Sequence, residues 1–194
     1  MEDYANAHTA TGDAEALARS RLSDKRYGHT LRVADTAVDL ARVHGLDEDR
    51  ARLSALIHDA ARETEPEEYL RLAERWHLPV GEPERQSPKL LHGPVAAELA
   101  RRELGVRDEE VLDAVRTHTT ARPGMGPLAL TLYVADKIEP ARDYPSVGRL
   151  RELSEKDLHA TAREALRRAI SYNEKRGKPI HPSSQAALEW LEET

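Results

Sequence analysis

The sequence predicts an all-α protein, and three observations support this prediction. The helix formers Ala, Leu, Arg and Glu are abundant, whereas aromatic residues make up only 4% of the chain and phenylalanine is absent. Leu31, Ala34, Val38 and Ala41 recur at spacings of 3, 4 and 3, which follow one face of a helix. No stretch shows the alternation of apolar and polar residues that is typical of strands. The core is therefore expected to consist mainly of Leu, Ala, Val and Ile.

Capping residues divide the sequence into predicted helices. Ser23 or Asp24 can cap the second helix and Gly45 ends it, while Asp47 and Thr64 cap the next two. The predicted helices cover residues 14–22, 27–44, 48–62, 65–76, 93–104, 109–118, 128–139, 147–155 and 158–175, with a last short helix after 184; proline- and glycine-rich loops are predicted at 78–89, 119–127 and 140–145. We expect a flexible segment at 1–12 and a single domain at 13–194.

The bulk composition excludes several classes of protein. The net charge is −6 and the Arg residues are scattered, so no basic stripe for nucleic acid is present. No apolar run approaches the ~20 residues of a membrane span, and the first residues do not resemble a signal peptide. The absence of cysteine excludes disulfides and thiolate metal ligands and agrees with a cytoplasmic location. The sequence carries no signal for an oligomeric state.

An apolar helical stretch from Leu53 to Arg62 carries an adjacent histidine and aspartate, His58 and Asp59. Burying both side chains costs several kcal/mol unless something binds them strongly, and a divalent metal ion is the usual partner. Comparable apolar or helix-end positions are occupied by His29, His92, His118 and Asp136. Because helix ends beside proline-rich loops often open a pocket, these six residues are the candidate metal ligands.

The order His, His-Asp, Asp along the chain resembles the signature of the HD phosphohydrolase superfamily. The flanking residues are more specific and resemble the YqeK family, bacterial symmetrical bis(nucleosyl) tetraphosphatases of the HD fold. The matching segments are Arg26-Tyr-Gly-His29, Ala55-Leu-Ile-His-Asp-Ala-Ala61, Leu90-Leu-His-Gly-Pro94, Arg116-Thr-His-Thr-Thr-Ala-Arg-Pro-Gly-Met125 and Tyr133-Val-Ala-Asp-Lys-Ile-Glu-Pro-Ala-Arg142. The resemblance covers about residues 20 to 190 and implies an HD-domain helical bundle.

The resemblance also implies a metal-binding, nucleotide-binding hydrolase with a two-metal centre. His29, His58, Asp59 and Asp136 match the ligands of the first ion, and Asp59 would bridge to a second ion completed by His92 and His118. Two divalent ions are expected, with iron as the first choice and manganese as the alternative, since the ligands are nitrogen and oxygen only. The implied reaction is attack of a metal-bridging hydroxide on diadenosine tetraphosphate, which gives two ADP.

The resemblance assigns catalytic roles to Asp59 and Arg62 and predicts a set of substrate contacts. Arg62 stands where the family usually has lysine, three positions after Asp59, and can hold a phosphate by its guanidinium fork. Thr119 and Arg142 are expected to contact phosphate, and the loop at 179–184 is expected to close on the nucleotide. The full predicted set is His29, Arg62, His92, His118, Thr119, Arg142, Pro179, Ile180, His181, Pro182, Ser183 and Ser184.

Other interpretations of the same residues stay open at this point. A single histidine on an apolar helix face is usually a hydrogen-bonded core residue, and Arg62 and Arg142 can be surface ion-pair partners. His181 can order its loop instead of touching a ligand, and Glu139 can either support a metal ligand or lie at an exposed helix end. The functional alternatives are another nucleotide substrate (a deoxynucleotide, a guanosine tetraphosphate alarmone or a cyclic dinucleotide) and a non-catalytic nucleotide sensor.

Overall fold

Residues 2–194 are described by the computed structural model, with side chains from residue 11 onward. This part of the chain forms eleven α-helices and one 3₁₀ helix and contains no β-strand, which confirms the all-α prediction. The helices are α1 (Glu2–Arg21), α2 (Asp24–Val43), α3 (Glu48–Ile57), α4 (Pro66–Arg75), α5 (Glu82–Gln86), α6 (His92–Glu103), α7 (Glu109–Thr117), α8 (Pro127–Ile138), α9 (Val147–Ser154), α10 (Leu158–Glu174) and α11 (Pro182–Glu193). The flexible segment predicted at 1–12 falls largely outside the described side chains and stays a prediction.

The helix at the centre of the protein is α8, and ten of its twelve residues are buried. A helix that is apolar on nearly all sides has to be enclosed by other helices. Helices α2, α7 and α10 pack around α8, and α3 contacts both α2 and α7. Buried apolar side chains form one continuous cluster that extends from Ala14 to Leu191. As predicted, this core is mostly Ala, Leu, Val and Ile, although Tyr69 and Tyr133 are also fully enclosed.

Helix α3 ends earlier than the sequence predicted, at Ile57 instead of Arg62. Beyond it the backbone tightens into turns, in which Ala60 N donates to Ile57 O (2.8 Å) and Arg62 N donates to Asp59 O (2.7 Å). The Tyr69 hydroxyl of α4 donates to Ala61 O at 2.5 Å and holds this segment. The predicted helix was too long because helical periodicity cannot distinguish an α-helix from the tighter turns that follow it. As a result, His58 and Asp59 lie at the end of α3.

Two predictions around the proline-rich segment were wrong in detail. Residues 78–89 are not a simple loop, since they contain α5 and the start of a 3₁₀ helix, Pro88–Leu91. The Glu84 carboxylate accepts from Gly81 N at 2.8 Å and caps α5. Pro83 lies in the first turn of this helix, where proline is tolerated. The cap residue of α4 is Glu65, one residue later than the predicted Thr64.

No helix among the described residues is both long enough and apolar enough to cross a lipid bilayer.

Candidate metal centre

Six side chains from five helices meet beside α8. His29 comes from the second turn of α2, His58 and Asp59 from the end of α3, His92 from the first residue of α6, His118 from the end of α7 and Asp136 from the last turn of α8. All six are buried, and the most exposed of them, Asp136, is 7% exposed. The structure therefore brings together every residue that the sequence nominated as a metal ligand.

Asp59 lies between the four histidines. Its Oδ2 atom is 3.5 Å from His58 Nε2 and 3.9 Å from His29 Nε2, and its Oδ1 atom is 3.5 Å from His92 Nε2 and 3.9 Å from His118 Nε2. Each carboxylate oxygen therefore faces a different pair of imidazoles. A carboxylate in this position is suited to bridge two ions.

Hydrogen bonds fix the tautomer of all four imidazoles in the same way. The Nδ1 atoms of His58, His92 and His118 donate to backbone carbonyls three residues earlier, at 2.6, 2.6 and 2.7 Å. His29 Nδ1 donates to the Glu139 carboxylate at 3.1 Å. Because these partners only accept, each Nδ1 carries a proton and each ring directs its Nε2 atom at the centre, where the neutral form of the ring offers a lone pair.

The converging lone pairs have too few donors among the described residues. His92 Nε2 and His118 Nε2 are 3.0 Å apart; the Thr119 hydroxyl, 2.9 and 3.1 Å from them, can donate to only one of the two, and Arg62 NH1 lies 3.2 Å from His92 Nε2. The Nε2 atoms of His29 and His58 are buried with no hydrogen-bond partner. Buried acceptors without donors are costly, and a cation between them removes that cost.

Ligand atoms close enough to share an ion form two overlapping groups, His29–His58–Asp136 and His58–Asp59–His118, with all atoms of a group within 4.8 Å of one another. The donors are imidazole nitrogens and carboxylate oxygens, a set that suits iron, manganese or zinc. The residues present therefore fit a pair of divalent ions. Metal binding agrees with the burial, the tautomers and the unpaired nitrogens of the same side chains.

Protonation states in the centre also favour metal binding. Burial lowers the pKa of His118 to about 4, helped by the nearby His58, and burial with His118 lowers the pKa of His92 well below its ordinary value. Burial alone would raise the pKa of Asp59, but the adjacent His58 and the other imidazoles bring this pKa well below its ordinary value. At neutral pH, His92 and His118 are therefore neutral donors and Asp59 is an anion.

Glu139 supports the centre from outside, so the exposed-end alternative is wrong for this residue. It is 2% exposed, accepts from His29 Nδ1 at 3.1 Å and accepts from Arg32 Nε at 2.7 Å. Its second oxygen also accepts from Ala141 N at 2.8 Å. A carboxylate behind a metal-binding imidazole orients the ring and raises its basicity.

The ion pairs between cationic side chains and the carboxylates of Asp59 and Asp136 were not predicted from the sequence. Arg26 NH1 lies 3.0 Å from Asp59 Oδ2, and Lys137 Nζ lies 2.7 Å from Asp136 Oδ2. Arg142, which was predicted as a phosphate contact, donates to Asp136 Oδ1 at 2.7 Å. The spacing of Arg26 and His29, three residues apart on one helix, was the available signal, since such residues share a face.

Arg62 lies beside His92, whereas Arg142 lies beside Asp136 at the other end of the centre. Its NH1 atom is within 3.2 Å of both ring nitrogens of His92, and its Nε atom is buried without a hydrogen-bond partner. Arg62 and Thr119 therefore border the His92 side of the centre, where the sequence placed substrate phosphate.

The predicted loop at 179–184 packs against the segment after α7, although its last three residues form the first turn of α11 and only residues before Pro182 are non-helical. The Ser183 and Ser184 hydroxyls donate to Ala121 O (2.7 Å) and Thr120 O (2.6 Å). His181 caps α11 by accepting from Ser183 N at 3.1 Å, and its Nε2 atom donates to Glu84 at 2.9 Å. His181 therefore orders its loop, and contact of Pro179, Ile180 and Pro182 with a nucleotide stays a prediction.

Gly93 permits the close approach of the helices that carry His92 and His118. A Cβ atom at this position would lie 2.9 Å from Val115 O and 3.0 Å from Arg116 O, which are rigid backbone atoms. It would also lie 3.3 Å from His118 Nδ1. Only glycine fits here without moving α6 away from α7.

Comparison with known proteins shows several close similarities. The HD domain family model matches residues 26–141. A symmetrical bis(5'-nucleosyl)-tetraphosphatase of Bacillus subtilis is 37% identical over 92% of this chain and 96% of its own length, and one of Staphylococcus aureus is 33% identical over 82% of each chain. A crystal structure described as a predicted HD superfamily hydrolase involved in NAD metabolism, from Clostridium acetobutylicum, has a TM-score of 0.91 at 32% identity and covers 94% of this chain and 96% of that one.

Proposed function

The chain belongs to the HD-domain family and, within it, to the symmetrical bis(5'-nucleosyl)-tetraphosphatases, and on this premise we propose that it hydrolyses diadenosine tetraphosphate into two ADP. The observation that carries the proposal is the set of four Nε2 lone pairs directed at Asp59 and Asp136 with too few donors between them. The same family match supports the HD-domain helical bundle expected from the sequence.

We assign the ligands as the sequence suggests. His29, His58, Asp59 and Asp136 would hold one ion, and Asp59, His92 and His118 would hold the second. Iron is the proposed metal and manganese the alternative, because the chain contains no cysteine and the donors are nitrogen and oxygen. When bound, two divalent ions lower the pKa of a coordinated water and neutralise the charge that develops on phosphate.

The role of the surrounding side chains is to hold the tetraphosphate in line for attack on the central P–O–P bridge. Arg62, Thr119 and Arg142 are the proposed phosphate contacts, and Arg26 adds a fourth group beside Asp59. Guanidinium groups bind phosphate oxygens through paired hydrogen bonds and stabilise the negative charge of the transition state. Breaking the central bridge with one water gives one ADP on each side.

The loop at 179–184 is proposed to contact one nucleoside. Its position against residues Thr120 and Ala121 brings it beside Thr119, and therefore beside the His92 side of the centre. The cytoplasmic location also remains part of the proposal, supported by the absence of cysteine.

Product analysis tests the proposed reaction. The purified protein is loaded with iron(II) under anaerobic conditions and incubated with diadenosine tetraphosphate, and the nucleotides are separated. ADP as the only product is expected, whereas AMP with ATP would show off-centre attack and overturn the symmetric reaction.

The same assay separates the functional alternatives. Turnover of a deoxynucleotide, an alarmone or a cyclic dinucleotide, without turnover of diadenosine tetraphosphate, would move the assignment to another HD activity. Tight nucleotide binding with no turnover of any of them by the metal-loaded protein would support the sensor alternative. A His58→Ala variant serves as the control and is expected to release no ADP.

A further inference from the structure

A cavity of about 900 Å³ lies between α10 and the segment that joins α8 to α9. Its volume is within the range of small-molecule pockets, which is roughly 300–1,000 Å³. The inner wall is apolar and formed in part by Leu150, Ala165 and Ala169, while cationic and aromatic side chains stand at its edge. None of the six candidate metal ligands lines this cavity, whereas Arg142, a predicted phosphate contact, does.

The charge of the cavity differs from that of the whole protein. Lys137, Arg142, Arg168 and Lys175 line it, and its described lining contains no carboxylate, although the chain has a net charge of −6. Arg168 is paired with Glu164 at 2.5 Å, but Lys175 has no ion-pair partner among the described residues. A concentration of positive charge in a concave site attracts an anionic ligand.

Two tyrosines give the cavity an aromatic component. The Tyr144 hydroxyl donates to Lys137 O at 2.8 Å, so its ring is fixed against the end of α8. Tyr172 projects from α10, is 54% exposed, and is paired with the Arg176 guanidinium 4.3 Å from its ring centroid. An exposed aromatic ring beside cations is a platform on which a nucleobase can stack.

Contacts connect this cavity to one end of the metal centre. Lys137 and Arg142 line the cavity and also bind the two oxygens of Asp136, each at 2.7 Å. Asp136 in turn lies 3.1 Å from His29 Nε2. The opposite end of the centre is His92 with Thr119, next to the loop at 179–184. The metal centre therefore lies between the loop and the cavity.

A symmetric dinucleotide that is cut at its middle requires a nucleoside site on each side of the reacting phosphate bridge. We propose that the α10 cavity binds the second nucleoside 5'-phosphate half of the substrate, an inference that rests on the proposed function. The base lies against the apolar wall and against Tyr172. Lys175 contacts the ligand at the edge of the cavity. Arg142 and Lys137 bind the phosphates at the Asp136 end.

Calorimetric titration of the manganese-loaded protein with ADP tests this assignment without catalysis. The native chain is expected to bind two ADP molecules, one for each half of the substrate. A Tyr172→Ala/Lys175→Glu variant is expected to keep one site and to weaken the other by about tenfold or more, the effect of losing one base-stacking contact. Tyr172 on α10 and Lys175 directly after it are both exposed, so the variant is expected to keep the thermal unfolding midpoint of the native chain.

Lys156→Glu is the matched control, since it makes the same charge change at an exposed position outside the cavity lining. It is expected to bind two ADP molecules like the native chain. A native chain that binds only one ADP, or a double variant that titrates like the native chain, overturns the cavity assignment.

Kinetics with diadenosine tetraphosphate separate this inference from the proposed function. The double variant is expected to raise KM about tenfold or more and still to release ADP as the only product. If the native chain binds two ADP molecules and the double variant one, but the native chain does not cleave the substrate, the proposed function fails and the cavity stands as a nucleotide site. If the native chain cleaves the substrate and the double variant has unchanged KM, the function stands and the cavity assignment fails.

Discussion

The two ends of the metal centre are built differently. At the Asp136 end, the carboxylate already has two cationic partners, Lys137 and Arg142, and His29 is held by Glu139. At the other end, His92 and His118 direct lone pairs at each other across 3.0 Å. At the first end protein cations balance the carboxylate, but the Nε2 atoms of His29 and His58 have no donor. The second end is a pair of facing imidazoles bordered by Thr119 and Arg62.

This difference suggests how each end responds to metal. At the Asp136 end, an ion has to compete with Lys137 and Arg142 for the carboxylate, so the protein scaffold sets the geometry in advance. At the His92 end, an ion relieves the two Nε2 lone pairs that face each other at 3.0 Å, and the close packing of α6 on α7 determines whether the two rings can share it. Variants at each end should therefore affect different ions.

Asp59→Asn is expected to have the largest effect, because Asp59 faces all four imidazoles and belongs to both ends. An amide is a weaker, neutral ligand and cannot bridge two ions. We expect loss of both ions, measured by elemental analysis, and loss of ADP release to background. The exposed Asp143→Asn is the control and should behave like the native chain. An Asp59→Asn protein that keeps two ions would contradict the assigned bridge.

Gly93→Ala is expected to damage the His92 end selectively. The added methyl group would meet Val115 O at 2.9 Å, so α6 has to move from α7, at a cost of about 1–3 kcal/mol in unfolding free energy. We expect one ion to be lost while the ion at the Asp136 end is kept. The measurements are chemical denaturation and metal content.

Gly148→Ala is the matched control for this substitution, since nothing lies within 4 Å of the added Cβ atom in α9. Alanine at an exposed helix position should leave stability unchanged or raise it by about 0.5–1 kcal/mol. Equal behaviour of the two alanine variants would show that the contact of α6 with α7 does not depend on Gly93.

Glu139→Gln is expected to weaken the Asp136 end with a smaller effect. The amide keeps the size of the side chain but removes the charge that orients His29, so metal affinity or activity should fall about 10–100-fold. The affinity is measured by competition with a chelator, with Glu152→Gln on the exposed face of α9 as control. Loss of the ion at the His92 end instead would contradict the separation of the two ends.

Arg62→Lys should have the smallest effect. Lysine keeps the charge beside His92 but loses the fork of the guanidinium, so we expect kcat within about tenfold of the native value and a modest rise in KM. Arg62→Ala, which removes the charge, should raise KM further. Steady-state kinetics distinguish them, and equal KM values for all three proteins would remove Arg62 from the phosphate contacts.

The sequence predicted most of the helices and the six residues that the structure brings together, because both leave local signals. Apolar periodicity marks α2 and α8, and buried histidines and aspartates such as His58 and Asp59 stand out in apolar stretches. The end of α3 and the short α5 were missed, since turn hydrogen bonds and a side-chain cap from Glu84 decide them. Local sequence patterns do not report these contacts.

The charged surroundings of the centre were harder to predict for a different reason. Arg26 reaches Asp59 across 33 positions in sequence, and Arg32 reaches Glu139 across 107. Apart from their three-residue spacing from His29, nothing in a sequence with many arginines distinguishes these two from residues on the surface. The α10 cavity is also a product of tertiary packing, since its lining residues lie on separate helices and a connecting loop.

Anomalous diffraction from crystals grown with manganese or iron(II) would test the central claim most directly. The account predicts two peaks per chain on either side of the Asp59 carboxylate, one bounded by His29, His58 and Asp136 and the other by His92 and His118. A single peak, no peak, or ions held by other side chains would contradict the two-metal centre.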